Sequence, residues 1–122
     1  MKKRAVFDGE YPCYHIFNRG VEKRNIFLND NDYKRFLFLL FTLQGNIFFN
    51  HTSRLASEFG QHSMSAIEDI RKEVERTRIV ELVTFVLMPN HFHLILRNLK
   101  DGGVSKFMQR LGNSYTKYFN IK

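Results

Sequence analysis

Apolar residues recur at helical spacing in two stretches of the chain. The first stretch follows Asp30-Asn31-Asp32, whose short side-chain oxygens can cap the free amides of a first helical turn, and it stops at Gly45-Asn46. Its apolar residues cover nearly the whole circumference of a helix, so we expect burial on more than one side. Residues 104–120 form the second helix, with an apolar face of Val104, Phe107, Met108, Leu111, Tyr115 and Tyr118.

Shorter apolar runs predict three strands. Residues 11–17 form the first, and Asn18-Arg19-Gly20 closes it in a turn. Residues 79–88 are almost continuously apolar, which predicts a central or nearly central strand. Pro89-Asn90 then turns the chain, and residues 91–97 return as the second strand of a hairpin.

Two segments fall outside these elements. Residues 1–10 indicate a basic, loosely held arm. Residues 46–78 form an insertion or long connection in which the capping box Ser65-Ala66-Ile67-Glu68 begins a short surface helix. The preceding polar loop carries His51 and His62, which we interpret as ordinary solvated residues.

The order strand, helix, strand, strand, helix predicts an α+β fold, the ferredoxin-like split βαβ sandwich. In that plan the sheet is antiparallel, the first and third strands lie adjacent, and both helices cover one face. The chain stops before the last strand of the plan, so we expect that strand to be missing and the C-terminal part to be truncated. Residues 1–122 accordingly form one domain.

Composition narrows the class of protein. A net charge of +7 together with 15% aromatic residues favours a polyanionic partner, nucleic acid above all. Cys13 is the only cysteine, so no intramolecular disulfide can form, and we expect a cytoplasmic protein. Neither a signal peptide nor a run of roughly 20 apolar residues is present, which argues against a membrane partner.

His91-Phe92-His93 is the stretch with the clearest chemical potential. Successive side chains of a strand point to opposite faces, so the two imidazoles would project side by side and could hold a divalent metal. His15 shares a strand face with Phe17 and Arg19, but there we favour a core histidine with satisfied ring nitrogens over a ligand.

Tyr115 lies on the inward face of the last helix, where most tyrosines are core residues. In the split βαβ plan, however, a residue on the second helix can face a His pair on the third strand. A tyrosine hydroxyl attacks a phosphodiester poorly unless a metal polarises the phosphate. The nearest candidate for a third ligand is Asn120, five residues beyond Tyr115, and water is the alternative.

Four strings of this sequence resemble the HUH single-tyrosine transposases, and most of all their REP-associated tyrosine transposase branch. The strings are Tyr14-His15-Ile16-Phe17-Asn18-Arg19-Gly20, Asp32-Tyr33-Lys34-Arg35-Phe36, Val86-Leu87-Met88-Pro89-Asn90-His91-Phe92-His93-Leu94 and Ser114-Tyr115-Thr116-Lys117-Tyr118-Phe119-Asn120. The resemblance implies a metal-dependent domain that nicks and joins single-stranded DNA, often beside a hairpin, through a covalent 5′-phosphotyrosine.

Carried over by position, the resemblance makes His91 and His93 ligands of a divalent metal, magnesium or manganese, and Tyr115 the nucleophile. The basic residues expected to contact DNA are Arg19, Lys106, Arg110 and Lys117. Some relatives place a Gln ligand one helical turn past the tyrosine, where this chain has Phe119. The family also continues beyond the tyrosine helix, so we expect poor cleavage by a chain that ends at Lys122.

Two other functions fit the same residues. The first is a non-catalytic module that binds single-stranded or hairpin nucleic acid through its basic and aromatic side chains. The second is a small metal hydrolase that uses activated water and forms no tyrosyl intermediate. Either a monomer or a homodimer is compatible with the sequence.

Overall fold

Four strands form one antiparallel sheet, and helices pack against it, in the computed structural model, which describes residues 2–7, 9–46 and 64–122. In chain order the elements are β1 (Lys2–Phe7), β2 (Cys13–Arg19), a single 3₁₀ turn (Val21–Lys23), α1 (Asp30–Thr42), α2 (Met64–Thr77), β3 (Val80–Met88), β4 (His91–Asn98) and α3 (Gly103–Ile121).

The strand order in the sheet is β1-β2-β4-β3. The predicted neighbours β2 and β4 pair at its centre, with Ile16 opposite Leu94 and Arg19 opposite His91. The predicted hairpin joins β3 to β4, and Met88 lies opposite His91 beside the two-residue turn. This topology confirms the ferredoxin-like α+β sandwich that the sequence predicts.

The N-terminal segment is a strand, and the expectation of a loose arm is wrong. β1 pairs with β2, placing Lys3 opposite Ile16 and Ala5 opposite Tyr14. The Lys3 ammonium lies 4.4 Å from the centre of the Tyr14 ring. β1 thereby occupies the place beside β2 that the plan gives to its last strand, so the described sheet has four strands and satisfies the hydrogen-bonding groups on that side of β2.

The prediction that β3 is central or nearly central is wrong, because β3 forms one edge of the described sheet. Several of its apolar side chains are exposed, namely Val83, Phe85, Val86 and Met88. An apolar run indicates which faces a strand can bury, whereas its place in the sheet depends on which strands pair with it. The sequence pattern therefore identified the strand but not its position.

The helices lie on one face of the sheet, over a core that includes Ile16, Phe92, Leu94 and Leu96. α1 buries residues around most of its circumference, as its sequence predicts, and Asn29 caps it by accepting a hydrogen bond from the Asp32 amide. Within the described ranges, none of the helices is both long and apolar enough to span a membrane.

α2 confirms the helix that the capping-box pattern predicts, and it extends to Thr77. Val74 of this helix is fully buried, and the backbone of Gly45 approaches it closely enough that a β-carbon on Gly45 would lie 2.8 Å from the Val74 α-carbon. The polar loop with His51 and His62 lies outside the described residues.

Asp32 joins the start of α1 to the end of α3. Its carboxylate is completely buried and accepts hydrogen bonds from the Leu28 amide at 2.7 Å, the Tyr118 hydroxyl at 2.6 Å and the Lys122 ammonium at 2.6 Å. Burial by itself would raise the pKa of Asp32, but the bonds from Lys122, Tyr118 and Leu28 outweigh it and leave the pKa below its ordinary value.

We expect Asp32→Asn to lower the free energy of unfolding at neutral pH by about 2 kcal/mol, because the charge-assisted bonds are lost. A pKa lowered in the folded state gives stability that is complete above the unfolded value of 3.8 and is lost as the pH falls through the folded value. The difference between wild type and Asp32→Asn should therefore shrink below about pH 4.

Urea unfolding at several pH values measures this difference, with the exposed Asp30→Asn as a control expected to stay within about 0.5 kcal/mol of wild type. A gap between wild type and Asp32→Asn that stays constant down to pH 2 would contradict the assigned role of the carboxylate.

Candidate metal centre

The two faces of the sheet differ in what covers them. On β4, Phe92 and Leu94 are buried under the helices, whereas His91 and His93 point to the opposite side and are only half-buried. No helix of the described residues packs on that opposite side, which we call the open face. Its residues on the two central strands include His15, Phe17, Arg19, His91, His93 and Arg97.

The His pair is a compact unit on the open face. The ring centres of His91 and His93 are 5.3 Å apart and their planes are at 81°. The Phe17 ring, on the neighbouring strand, lies 4.9 Å from the His93 ring and 5.9 Å from the His91 ring. This arrangement confirms that the two histidines share one face, as strand alternation predicts.

Each histidine of the pair has a hydrogen-bond partner on its Nδ1 atom. His91 Nδ1 is 2.7 Å from the side-chain oxygen of Asn90, and His93 Nδ1 is 2.9 Å from Nε2 of His15. The expected satisfaction of a ring nitrogen of His15 is therefore confirmed, but its side chain is on the open face and not in the core.

The donor set suits a divalent metal. Imidazole nitrogens bind manganese, zinc and related ions well, and magnesium accepts few protein ligands while keeping several waters. The described residues contain no group of three or more His, Cys, Asp or Glu side chains that could together hold a metal ion. The two histidines would thus supply two ligand positions and leave the others to water or to oxygen atoms of a substrate.

Tyr115 does not face the His pair, and this expectation is wrong. The residue is 8% exposed, and its ring packs edge-on against Phe36, which in turn packs against Phe92. Because Phe92 and the flanking histidines point to opposite faces of β4, Tyr115 lies on the helix-covered side of the sheet. The structure therefore does not bring the predicted nucleophile to the predicted metal.

The Tyr115 hydroxyl is also engaged, since it donates a hydrogen bond to the Ile26 carbonyl at 2.6 Å. Burial, with further contributions from Asp32 and the neighbouring tyrosines, raises the pKa of Tyr115 well above its ordinary value. Both effects disfavour a reactive phenolate at this position.

Asn120 is likewise on the helix side. It lines a small cavity beside α3 together with Ile26, Tyr115 and Phe119. The described side chains in contact with the His pair are Phe17, His15 and Asn90, so the prediction that Asn120 completes the metal site is not supported.

The predicted DNA-contacting residues are divided between the two faces. Arg19 is exposed on the open face, 5.7 Å from the Phe17 ring centre. Lys106 and Lys117 are exposed on α3, on the other side of the sheet. Arg110 donates a hydrogen bond to the Gly45 carbonyl at 3.0 Å, and burial lowers its pKa, so it has a contact within the fold.

The sequence interpretation missed His15, Arg4 and Arg97 as members of the open face. Arg4 lies opposite His15 in the sheet, and Arg97 forms an ion pair with Glu81. The register of β2 against β4, which pairs Phe17 with His93, places His15 on the same side as the His pair. Strand alternation and the predicted pairing were not sufficient to find His15, because a shift of one residue in the register would put it on the other side.

Comparison with known families gives a match over the C-terminal part of the chain. A family model described as "Transposase IS200 like" matches residues 47–122, more than half of the chain, and the matched part includes β3, β4 and α3. No curated protein and no solved structure matches. The likeness to the REP-associated branch stays a prediction. With its His-x-His strand inside the matched segment, the chain belongs to the family of IS200-like transposases.

Proposed function

We propose that this chain carries the metal-binding half of a site that nicks and joins single-stranded DNA, and that the DNA lies on the open face. The observation that carries the proposal is the His91 and His93 pair on a sheet face that no described helix covers, beside the exposed Arg19. The net charge of +7 and the family membership support a DNA substrate.

The residues of the open face have separate roles in this proposal. His91 and His93 would hold magnesium or manganese. A bound divalent ion supplies positive charge that polarises the scissile phosphate and stabilises charge in the transition state. Arg19 binds a neighbouring phosphate, and Phe17 offers an aromatic surface against which a base can pack.

The chemical step that the family likeness suggests is attack by a tyrosine on the scissile phosphate. Its phenolate oxygen forms a bond to phosphorus, the bond from phosphorus to the 3′ oxygen breaks, and the 3′ oxygen takes up a proton. The products are a 5′-phosphotyrosine and a free 3′-hydroxyl, and reversal with another 3′-hydroxyl joins two strands. The negative charge on the phosphate oxygens is greatest during this displacement, so a divalent ion held by the His pair, together with Arg19, would stabilise it most at that point.

No tyrosine of the described arrangement is in position for that attack. Tyr14, Tyr33, Tyr115 and Tyr118 pack against the core on the helix side. Tyr11 precedes the start of β2, at the end of the sheet opposite His91. We therefore propose that Tyr115 is a structural residue of the described arrangement and that the attacking tyrosine reaches the open face from elsewhere or by a rearrangement.

A second function is favoured by the placement of Tyr115. With Tyr115 buried and its hydroxyl bonded to Ile26, the described chain has the features of a single-strand or hairpin binding module without cleavage. If the chain nicks DNA, removal of the His pair lowers cleavage. If the chain only binds DNA, removal of the pair can change only the DNA affinity.

For the nicking proposal, we expect His91→Ala and His93→Ala each to lower manganese-dependent cleavage or adduct formation on a labelled single-stranded hairpin oligonucleotide by at least about 100-fold. DNA affinity measured without metal should change little. His62→Ala, which removes a histidine outside the His-x-His string, is the control. Binding that persists with no cleavage by any variant or by wild type would favour the binding module, and turnover without a protein adduct would favour the hydrolase.

Arg19→Ala and Lys117→Ala test which face carries the DNA. Arg19→Ala should weaken single-strand binding and lower the salt dependence of the affinity by about one unit of slope, because one phosphate contact is lost. Lys117→Ala, on the helix side, should bind like wild type. Fluorescence anisotropy at several salt concentrations measures both, and the reverse result would place the DNA on α3.

Tyr115→Phe should lower the free energy of unfolding by about 1 kcal/mol, because it removes only the hydrogen bond to Ile26. Single-strand affinity and metal binding should stay at the wild-type level. If wild type forms a covalent DNA adduct and a folded Tyr115→Phe does not, Tyr115 is the nucleophile and has to leave the core to react.

A further inference from the structure

Asn90 is oriented by two hydrogen bonds. Its Nδ2 atom lies 3.4 Å from the Lys23 carbonyl, and its Oδ1 atom lies 2.7 Å from His91 Nδ1. A carbonyl oxygen can only accept, so the amide group of Asn90 must turn its NH₂ towards Lys23 and its oxygen towards His91. The hydrogen between Asn90 and His91 therefore belongs to His91 Nδ1, and the lone pair of the neutral ring is on Nε2.

The loop that presents the Lys23 carbonyl is held against the hairpin turn. The Gly20 amide donates to the Asn90 carbonyl at 2.9 Å, and the Ile26 amide donates to the Pro89 carbonyl at 2.7 Å. Both Glu22 and Lys23 have positive φ angles, 55° and 62°, which L-residues other than glycine seldom adopt. This tight backbone conformation gives Asn90 its partner next to the His pair.

His93 is held in an analogous way by His15. The two rings are nearly parallel, at 13°, and their centres are 5.1 Å apart, while His93 Nδ1 and His15 Nε2 are separated by 2.9 Å. The ring centres are farther apart than the two nitrogens by about two ring radii, so both nitrogens lie close to the line that joins the centres. The rings therefore lie end to end and share a straight hydrogen bond. Nδ1 of His93 is thus hydrogen-bonded to His15, and when His93 is the donor its Nε2 is the nitrogen left for a ligand.

We propose that Asn90 and His15 are positioning residues of the metal centre, and this inference rests on the proposed role of His91 and His93 as ligands. Asn90 accepts the Nδ1 hydrogen of His91, and His15 accepts the Nδ1 hydrogen of His93. In this arrangement both ligands have the same tautomer, which leaves Nε2 of each ring for the metal, and His15 carries its own hydrogen on Nδ1. Such partners of the second ring nitrogen orient metal-binding histidines and make them more basic.

The tautomers can be measured before any metal is added. Two-bond proton–nitrogen correlation spectra of the metal-free chain, recorded at about pH 8, distinguish the protonated from the unprotonated ring nitrogen of each histidine. We expect Nδ1 to carry the hydrogen in both His91 and His93. A hydrogen on Nε2 of either residue would overturn the assignment for that residue.

Cobalt(II) titration by calorimetry then tests the effect on binding. Asn90→Ala removes the acceptor for His91, and His15→Phe keeps a ring on the open face but removes the acceptor for His93. Each should weaken cobalt binding by about 10- to 100-fold. Asn90→Asp and His15→Gln restore an acceptor oxygen and should recover most of the affinity, and the exposed Asn113→Ala is the control.

The results separate this inference from the proposed function. If wild type binds no cobalt, the metal centre itself is wrong, while the nitrogen spectra still decide the tautomers. If wild type binds cobalt and the folded Asn90→Ala and His15→Phe variants bind it equally well, the positioning role is overturned.

Discussion

The pairing of β2 with β4 at the centre of the sheet is the interaction on which the rest of the structure depends. It places Ile16 opposite Leu94 on the side of the core and Arg19 opposite His91 on the other side. Strand alternation then makes the same eight residues of β4 serve both as the floor of the core and as the candidate metal centre. Shifting the register of this pair by one residue would exchange the two faces.

The helix layer supports the candidate metal centre without touching it. The Tyr115 hydroxyl binds the Ile26 carbonyl, the Ile26 amide binds the Pro89 carbonyl, and Pro89 is next to Asn90. Packing on one side of the sheet is thus linked through the loop between β2 and α1 to the residue that orients His91. Tyr115 therefore has a structural role, because its hydroxyl holds the loop that packs against the Pro89-Asn90 turn.

Much of the fold was predictable because local patterns and burial agree. The helical periods of α1 and α3, the turn at Pro89-Asn90 and the alternation around His91 each led to the correct element. The predictions failed where a long-range partner decides the outcome: β1 became ordered by pairing with β2, and β3 was left at an edge. Neither result can be derived from the composition of the strand concerned.

For the candidate site, the sequence alone determined that His91 and His93 share a face, because a strand has a two-residue period whatever its surroundings. It also determined the family likeness and the basic charge. Only the tertiary structure decided what stands beside the His pair: His15 and Asn90 on their ring nitrogens, Phe17 against their rings, and Tyr115 on the opposite side of the sheet. The reason is that helical periodicity identifies the buried side of α3, whereas the face of the sheet that this side covers depends on how the chain crosses over.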